Sequence, residues 1–178
     1  MAVAHHTDGT IRTRRLTLRP ARSGHVEALH ALWTEPDVRR YLWDHLVIPR
    51  SRVAVAVERS TGDWETRHYG IWTVHQAAGE PLVGFCGYRL AEWRNAPELL
   101  FGFTRRVWGF GYAREAARAA LDYIFGTLRL AEVVAATDET NSASSKLLDH
   151  LMIFERRGTL DGLDTCFYRA TRDPVTGR

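Results

Sequence analysis

The residues with the clearest chemistry lie between Glu98 and Phe125, in the run ELLFGFTRRVWGFGYAREAARAALDYIF. Arg105 and Arg106 stand just ahead of Gly109 and Gly111. From Tyr112 onward, Ala113, Ala116, Ala117, Ala120, Leu121 and Ile124 recur at the spacing of an amphipathic helix, with Gly126 as its expected stop. Ahead of the arginines, Glu98 to Thr104 reads as a strand rich in Leu and Phe. Strand, glycine loop and helix in that order suit an anion. The first helical turn has unpaired N–H groups and the positive end of the peptide dipole. Glycines let the anion approach, and arginines at the mouth add charged donors. The plainer alternative is a tight turn whose glycines serve geometry alone. The coincidence of arginine pair, glycine pair and strong helix favours the anion site.

Two common anion motifs do not fit. A dinucleotide fingerprint needs a third glycine where Arg114 stands, and the lysine and hydroxyl residue of a P-loop are absent. Arg106-x-x-Gly109-x-Gly111 followed by an alanine-rich helix instead resembles the acyl-CoA pyrophosphate loop of the GNAT superfamily of N-acetyltransferases. Three further stretches resemble the branch containing the bacterial ribosomal-protein N-terminal acetyltransferases: RRLTLRP, LVGFCGYR, and Asp138-x-x-Asn141-x-x-Ser144. They occur in the right order, and the resemblance covers Ile11 to Thr171.

The elements that must position this stretch are legible at coarse grain. A strand is expected over Ile11 to Pro20, a helix over Gly24 to Trp33 with Ser23 as cap, and a short helix from Pro36 to Leu42. A further helix is expected over Arg52 to Ser60, with TGDWETRH as a turn. His68 to His75 and Pro81 to Leu90 form a hairpin around QAAGE, and Ala91 to Pro97 leads into the strand at Glu98. Glu132 to Thr137, Ser142 to Leu151, Phe154 to Gly158 and Thr165 to Thr171 complete the order as strand, helix and two strands. Residues 1–9 are expected to be a disordered tail, with one domain over residues 10–172. The class is α+β: a mixed, mostly antiparallel sheet of about seven strands, with helices on both faces.

With 178 residues, a formal net charge of +3 and 45% hydrophobic residues, the chain has the composition of a soluble globular domain. All of its basic residues except Lys146 are arginines, spread along the chain rather than gathered into a nucleic-acid-binding arm. No apolar run approaches the ~20 residues of a membrane span, and a cytoplasmic location is expected. Cys86 and Cys166 sit in apolar runs and read as buried thiols, and the histidines lack metal-ligand spacing, so no metal is expected.

The resemblance implies a fold in which the fourth and fifth of the expected strands splay apart around the pantetheine arm of acetyl-CoA. It places a β-bulge near Gly102 and leaves the backbone from Phe101 through Phe103 to Thr104 free to pair with that arm. The backbone of Trp108, Gly109, Phe110, Gly111, Tyr112 and Ala113 would hold the pyrophosphate, assisted by Arg105 and Arg106. Lys146 could reach a phosphate; a solvated helix-face lysine is the equal alternative. Glu98 is the candidate base, acting directly or through a water, or else a strand-edge charge. Ser144 is the candidate to protonate the leaving thiolate, because Leu148 stands where many family members have a tyrosine. Asn141 would hold the loop and contact the pantetheine, or serve as a helix cap. The family's usual glycine at the end of the last helix is missing from Leu151-Met152-Ile153.

For the acceptor, Trp33, Trp43, Trp72 and Trp93 could border a cleft, and Glu35, Asp37, Asp161 and Asp164 could attract a cationic amine. Core tryptophans and solvated acids are the plainer readings. A protein N-terminus and a small-molecule amine both remain open, as do monomer and homodimer. A non-catalytic acyl-CoA-binding module on the same fold is the competing reading.

Overall fold

A computed structural model describes residues 4–5, 8–77 and 81–172. Among them are nine strands in one sheet, ordered β1-β2-β3-β4-β5-β6-β7-β9-β8. The strands are β1 Ala4–His5, β2 Ile11–Arg12, β3 Leu16–Pro20, β4 Ile71–Gln76, β5 Leu82–Ala91, β6 Ala96–Phe103, β7 Glu132–Asp138, β8 Ile153–Leu160 and β9 Leu163–Thr171. The helices are α1 Val26–Trp33, α2 Pro36–Leu42, α3 Arg50–Arg67, α4 Tyr112–Asp122 and α5 Ser142–Leu148. All neighbouring strands pair antiparallel except β6 and β7. The expected α+β sheet with helices on both faces is therefore what forms. One core packs α4 and α5 against the sheet through Ala116, Ala117, Ala120, Leu121 and Leu148. The other packs α1, α2 and the first turns of α3 through Leu29, Trp33, Val38, Val53 and Val57.

Several local expectations need correction. Ile11 to Pro20 is a hairpin rather than one strand, because Thr13 turns the chain with its N–H and hydroxyl on the Leu16 carbonyl (2.9 and 3.2 Å). Ala4–His5 pairs with β2, so the expected loose stretch 1–9 includes an edge strand. Ser23 lies inside a 3-10 turn rather than capping α1. The expected turn TGDWETRH is helical as far as Arg67. Val53, Val57, Ser60 and Trp64 extend one buried stripe along α3. Burial of Trp64 against Trp72, with ring centroids 4.8 Å apart, outweighs the low helix propensity of Gly62. His68, with φ 61°, ends the helix. The tip of the QAAGE turn lies outside the described residues.

The end of α4 does not use Gly126. The chain widens through Tyr123–Thr127, and Arg129 takes the left-handed conformation. Likewise α5 ends at Leu148 without a glycine: Leu151 and Met152 both donate to the Leu148 carbonyl (2.9 and 2.8 Å), and Met152 is buried in the core. Asp161 and Gly162, both at positive φ, make the two-residue turn between β8 and β9.

Candidate active site

The site begins with where β6 pairs and where it does not. Its ladder to β5 runs without a register shift from Gly84↔Phe103 to Ala91↔Ala96. No bulge occurs at Gly102; the irregularity on β5 lies against Val74 and His75 instead. Gly102 is needed for a different reason: a Cβ there would sit 2.5 Å from the Phe85 ring, which fills the space and stacks edge-on against Trp33. Toward β7 the pairing is a single parallel register, Glu98↔Val134. Beyond it the strands separate, and β6 has an open edge.

Which groups face that gap follows from phase. Thr104 donates its N–H to the Val83 carbonyl (3.0 Å). In an antiparallel ladder alternate residues point alike, so Gly102 turns its backbone groups to β5 and Thr104 its N–H, while the Thr104 carbonyl accepts from the Val107 N–H (3.1 Å). The groups of Leu99, Phe101 and Phe103 point into the gap. The expectation of a free backbone from Phe101 through Thr104 is thus halved. It narrows further because the Trp108 indole N–H donates to the Phe103 carbonyl (2.8 Å).

The glycine loop follows directly. Arg105–Val107 form a 3-10 turn, Trp108 is extended, and Gly109 and Gly111 adopt φ of 80° and 76°. Space is not the reason for Gly109, since nothing lies within 4 Å of a Cβ there. Its backbone conformation is, because side chains rarely adopt it. Gly111 caps α4 with no side-chain bond to the first helical amides, which therefore remain available for an anion.

Sequence reading missed what holds this loop. The Arg15 guanidinium donates to the Phe110 carbonyl (2.8 Å) and lies 4.7 Å from the Tyr112 ring centroid. Its Nε binds Glu115 on α4 (2.6 Å), whose other oxygen accepts from the Thr13 hydroxyl (2.7 Å) and the Arg15 N–H (3.0 Å). Gln76 on β4 donates to the Tyr112 hydroxyl (3.1 Å). Arg15 and Glu115 are 100 residues apart, and neither has a local motif that marks it.

Burial pushes the Glu115 carboxyl up, but the bonds from Thr13 and Arg15 outweigh it and hold its pKa below the usual 4.5. A depressed carboxyl stabilises the fold fully above its unfolded value and loses that contribution as pH falls through the folded one. The stability difference between wild type and Glu115→Gln should accordingly be constant near neutrality and shrink as the pH drops below 4.5. Urea unfolding across that range measures it.

The remaining expected residues fall at distinct places. Arg105 is exposed and bonded to Asp37 on α2 (3.1 Å), and its guanidinium lies 5.6 Å from the Trp108 ring centroid. Arg106 reaches the Leu82 carbonyl at 3.5 Å. On the other bank of the gap, Asn141 caps α5 by accepting from the Ser144 N–H (3.2 Å). The Ser144 hydroxyl is half-buried and has no hydrogen bond among the described residues. Lys146 is exposed two residues further along α5. Tyr41 on α2 donates to the Thr140 carbonyl (3.3 Å), so α2 touches both banks. Leu148 is buried in the core at 1% exposure and offers no hydroxyl.

Glu98 is 2% exposed, and its Oε2 accepts from Arg89 across the ladder (2.7 Å). Strand alternation puts its side chain on the face of Leu100, toward the helices of the second core. It is therefore an interior carboxylate at the apex of the splay, which corrects its reading as a strand-edge charge.

The expected acceptor aromatics do not converge on the gap. Trp72 is 0% exposed in the α4 core and donates its indole N–H to the Gly9 carbonyl (2.7 Å). Trp33 is buried in the opposite core, 5.7 Å from Trp43. Trp93 packs edge-on against Phe167 (5.0 Å). Each fills volume that an apolar ring is well suited to fill. Asp161 is exposed in the β8–β9 turn, whereas Glu35 sits half-buried at the start of α2. Of these, Glu35 is the one on an element that reaches the gap. Cys86 and Cys166 are free and buried, and burial pushes the Cys86 thiol to about 12.

Comparison with known proteins agrees with this geometry. RimL, a ribosomal L7/L12 alpha-N-protein acetyltransferase solved in complex with coenzyme A, superposes with a TM-score of 0.76 at 17% identity, covering 90% of this chain and 96% of its own. An acetyltransferase from Agrobacterium tumefaciens superposes with a TM-score of 0.81 at 20% identity, covering 96% and 98%. The uncharacterized N-acetyltransferase p20 of Bacillus licheniformis is 27% identical over 156 residues, 85% of either chain. The family model described as an acetyltransferase (GNAT) domain matches residues 15–151. A match over most of the chain makes this protein a member of the GNAT acetyltransferases.

Proposed function

We propose that the chain transfers an acetyl group from acetyl-CoA to a primary amine, of a protein N-terminus or a small molecule, by direct attack within a ternary complex. The observation behind this reading is the continuity of the open β6 edge with a left-handed glycine loop at the uncapped start of α4. These residues fit the coenzyme: amides of Gly109 to Ala113 for its pyrophosphate, and the Leu99 carbonyl with the outward backbone groups of Phe101 for the amides of its arm. When bound, acetyl-CoA supplies the thioester that the amine attacks.

The rest is done by side chains of this chain. Glu98 accepts a proton from the attacking amine, directly or through a water. Arg89 holds one of its oxygens and fixes its position. Ser144 donates toward the leaving sulfur, and the Asn141 cap positions it. Among the described residues neither cysteine is presented as a covalent relay: both are buried, and burial pushes the Cys86 thiol up to about 12.

Arg105 has two partners in this reading, Asp37 in the structure and a phosphate when coenzyme is present. Asp37→Asn frees Arg105 from its carboxylate. Since exposed pairs contribute about 0.2–1 kcal/mol, coenzyme A should bind the variant up to about fivefold more tightly, which titration calorimetry would detect.

Thiol release from acetyl-CoA against a panel of amines tests the activity. Turnover on at least one amine is expected. Tight coenzyme binding with no turnover on any amine, peptide N-termini included, would make the protein a binding module instead.

A further inference from the structure

At the far end of β3 from the Arg15 clamp lies a cavity of about 420 Å³, lined by Asp8, Thr10, Arg12, Arg19, Pro20 and Arg22. The lining takes in Arg12 on β2 and Arg19 and Pro20 at the end of β3, so roughly 13 Å of strand lies between the clamp residue Arg15 and Arg19. The acetyl-transfer chemistry uses none of the lining residues. The cavity is large enough for a small metabolite.

Its lining is unbalanced in charge. Three arginines face one carboxylate, and Asp8 already accepts from the Thr10 N–H (2.9 Å). Among the described residues Arg12, Arg19 and Arg22 form no ion pair, and the Arg22 guanidinium donates to the Ala21 carbonyl (3.0 Å). Two histidines lie beside these arginines. The Arg22 N–H donates to His25 Nδ1 (3.0 Å), and the His25 ring lies 6.4 Å from that of buried His75. Burial, and then the charges of His75, Arg19 and Arg22, hold the His25 pKa below 6.5. Guanidinium groups that outnumber the carboxylate beside them repel one another, and an anion that joins them relieves that repulsion.

We propose that this cavity is a second anion site, taking the oligophosphate portion of a small molecule on Arg12, Arg19 and Arg22. Guanidinium forks match phosphate oxygens in pairs, which is why three arginines about one cavity select oligophosphate over a single carboxylate. Pyrophosphate as the free ion and the diphosphate of a nucleotide share this chemistry. A bound anion would lie against the strands whose other end grips the glycine loop.

Because the coenzyme loop is itself an anion site, the test keeps the two apart. Inorganic pyrophosphate is titrated calorimetrically into the full-length protein saturated with coenzyme A, and into Gly111→Asp without coenzyme. One pyrophosphate per chain is expected in both, weakened on the order of 10- to 100-fold in the Arg12→Ala/Arg19→Ala double variant. Both arginines are exposed, so this variant should fold. The conservative Arg12→Lys/Arg19→Lys variant should fall between, and Arg157→Ala, far along the sheet, should match wild type. NMR titration of His25 provides a second readout, since a bound anion must raise its pKa. Adenosine diphosphate in place of pyrophosphate shows whether a base adds affinity. The proposal is overturned if pyrophosphate fails to bind once coenzyme A is present, if the double alanine variant binds it unchanged, or if the His25 titration does not move. Loss of pyrophosphate binding in Gly111→Asp alone would place it at the coenzyme loop and equally overturn the proposal.

Discussion

Gly111→Asp is expected to weaken coenzyme A binding by about 100-fold while leaving the fold intact. The new carboxylate would sit where the first amides of α4 are bare, and it would accept from them as the phosphates otherwise do. At about 5 Å and an effective dielectric near 20, the nearest unit of phosphate charge would be repelled by roughly 3 kcal/mol, which is about two decades in affinity, and more distant charge is screened by water and salt. Backbone strain is a smaller effect of about 1–2 kcal/mol, because Asp tolerates the left-handed region better than most residues. Arg15 Nη2 lies 3.6 Å from the position of a Cβ at residue 111 and offers the carboxylate a partner, which favours a folded variant. Gly109→Ala isolates the strain: with nothing within 4 Å of the added carbon, affinity should fall less than about tenfold. Calorimetric titration of both variants, with circular dichroism to verify folding, separates charge from geometry. Equal losses in the two would mean that the loop matters for its shape alone.

Glu98→Gln should lower kcat about 100-fold at neutral pH, the low end of what a positioned general base contributes. The acetyl-CoA KM should stay within about twofold, since no coenzyme contact is assigned to this side chain. The deficit should shrink as pH rises through the pKa of the acceptor, about 7.7–8.0 for a protein N-terminus, because an amine already neutral needs no base. This pH dependence discriminates among roles. Were Glu98 only a partner for Arg89, its loss would lower stability and reduce the rate by a factor independent of pH. Arg89 is itself 57% exposed, so water can solvate it in the variant and the fold should tolerate the change.

These expectations rest unequally on what the chain alone makes legible. The loop could be read in advance because its signal is local: two glycines, two arginines and an alanine stripe lie within a short run, and each residue type has a conformational or charge reason to be there. The order of elements was legible for the same reason. What escaped was long-range. Arg15 looks like one more polar residue in a strand, and Glu115 like the solvated side of a helix, until the β2–β3 hairpin brings them together over Phe110 and Tyr112. Trp64 follows Gly62 and Asp63, which signal a turn. Its burial against Trp72, from a strand not yet placed, is what extends α3. Gly102 resembles a bulge glycine in sequence, whereas its role is to admit the Phe85 ring from the neighbouring strand. The tryptophans fall away from the gap for a related reason: residue type says that tryptophan is buried, and only strand phase says in which core.

The central claim is that the bare amides at the start of α4, with the outward groups of β6, are where acetyl-CoA docks. Residue-resolved hydrogen exchange with and without coenzyme A tests it most directly. The N–H groups of Gly109 to Ala113 and of Phe101 should become protected when coenzyme is added, while those of Gly102 and Thr104, already turned to β5, should change little. Saturating coenzyme that leaves the Gly109 to Ala113 amides exchanging at their free rate would contradict the account.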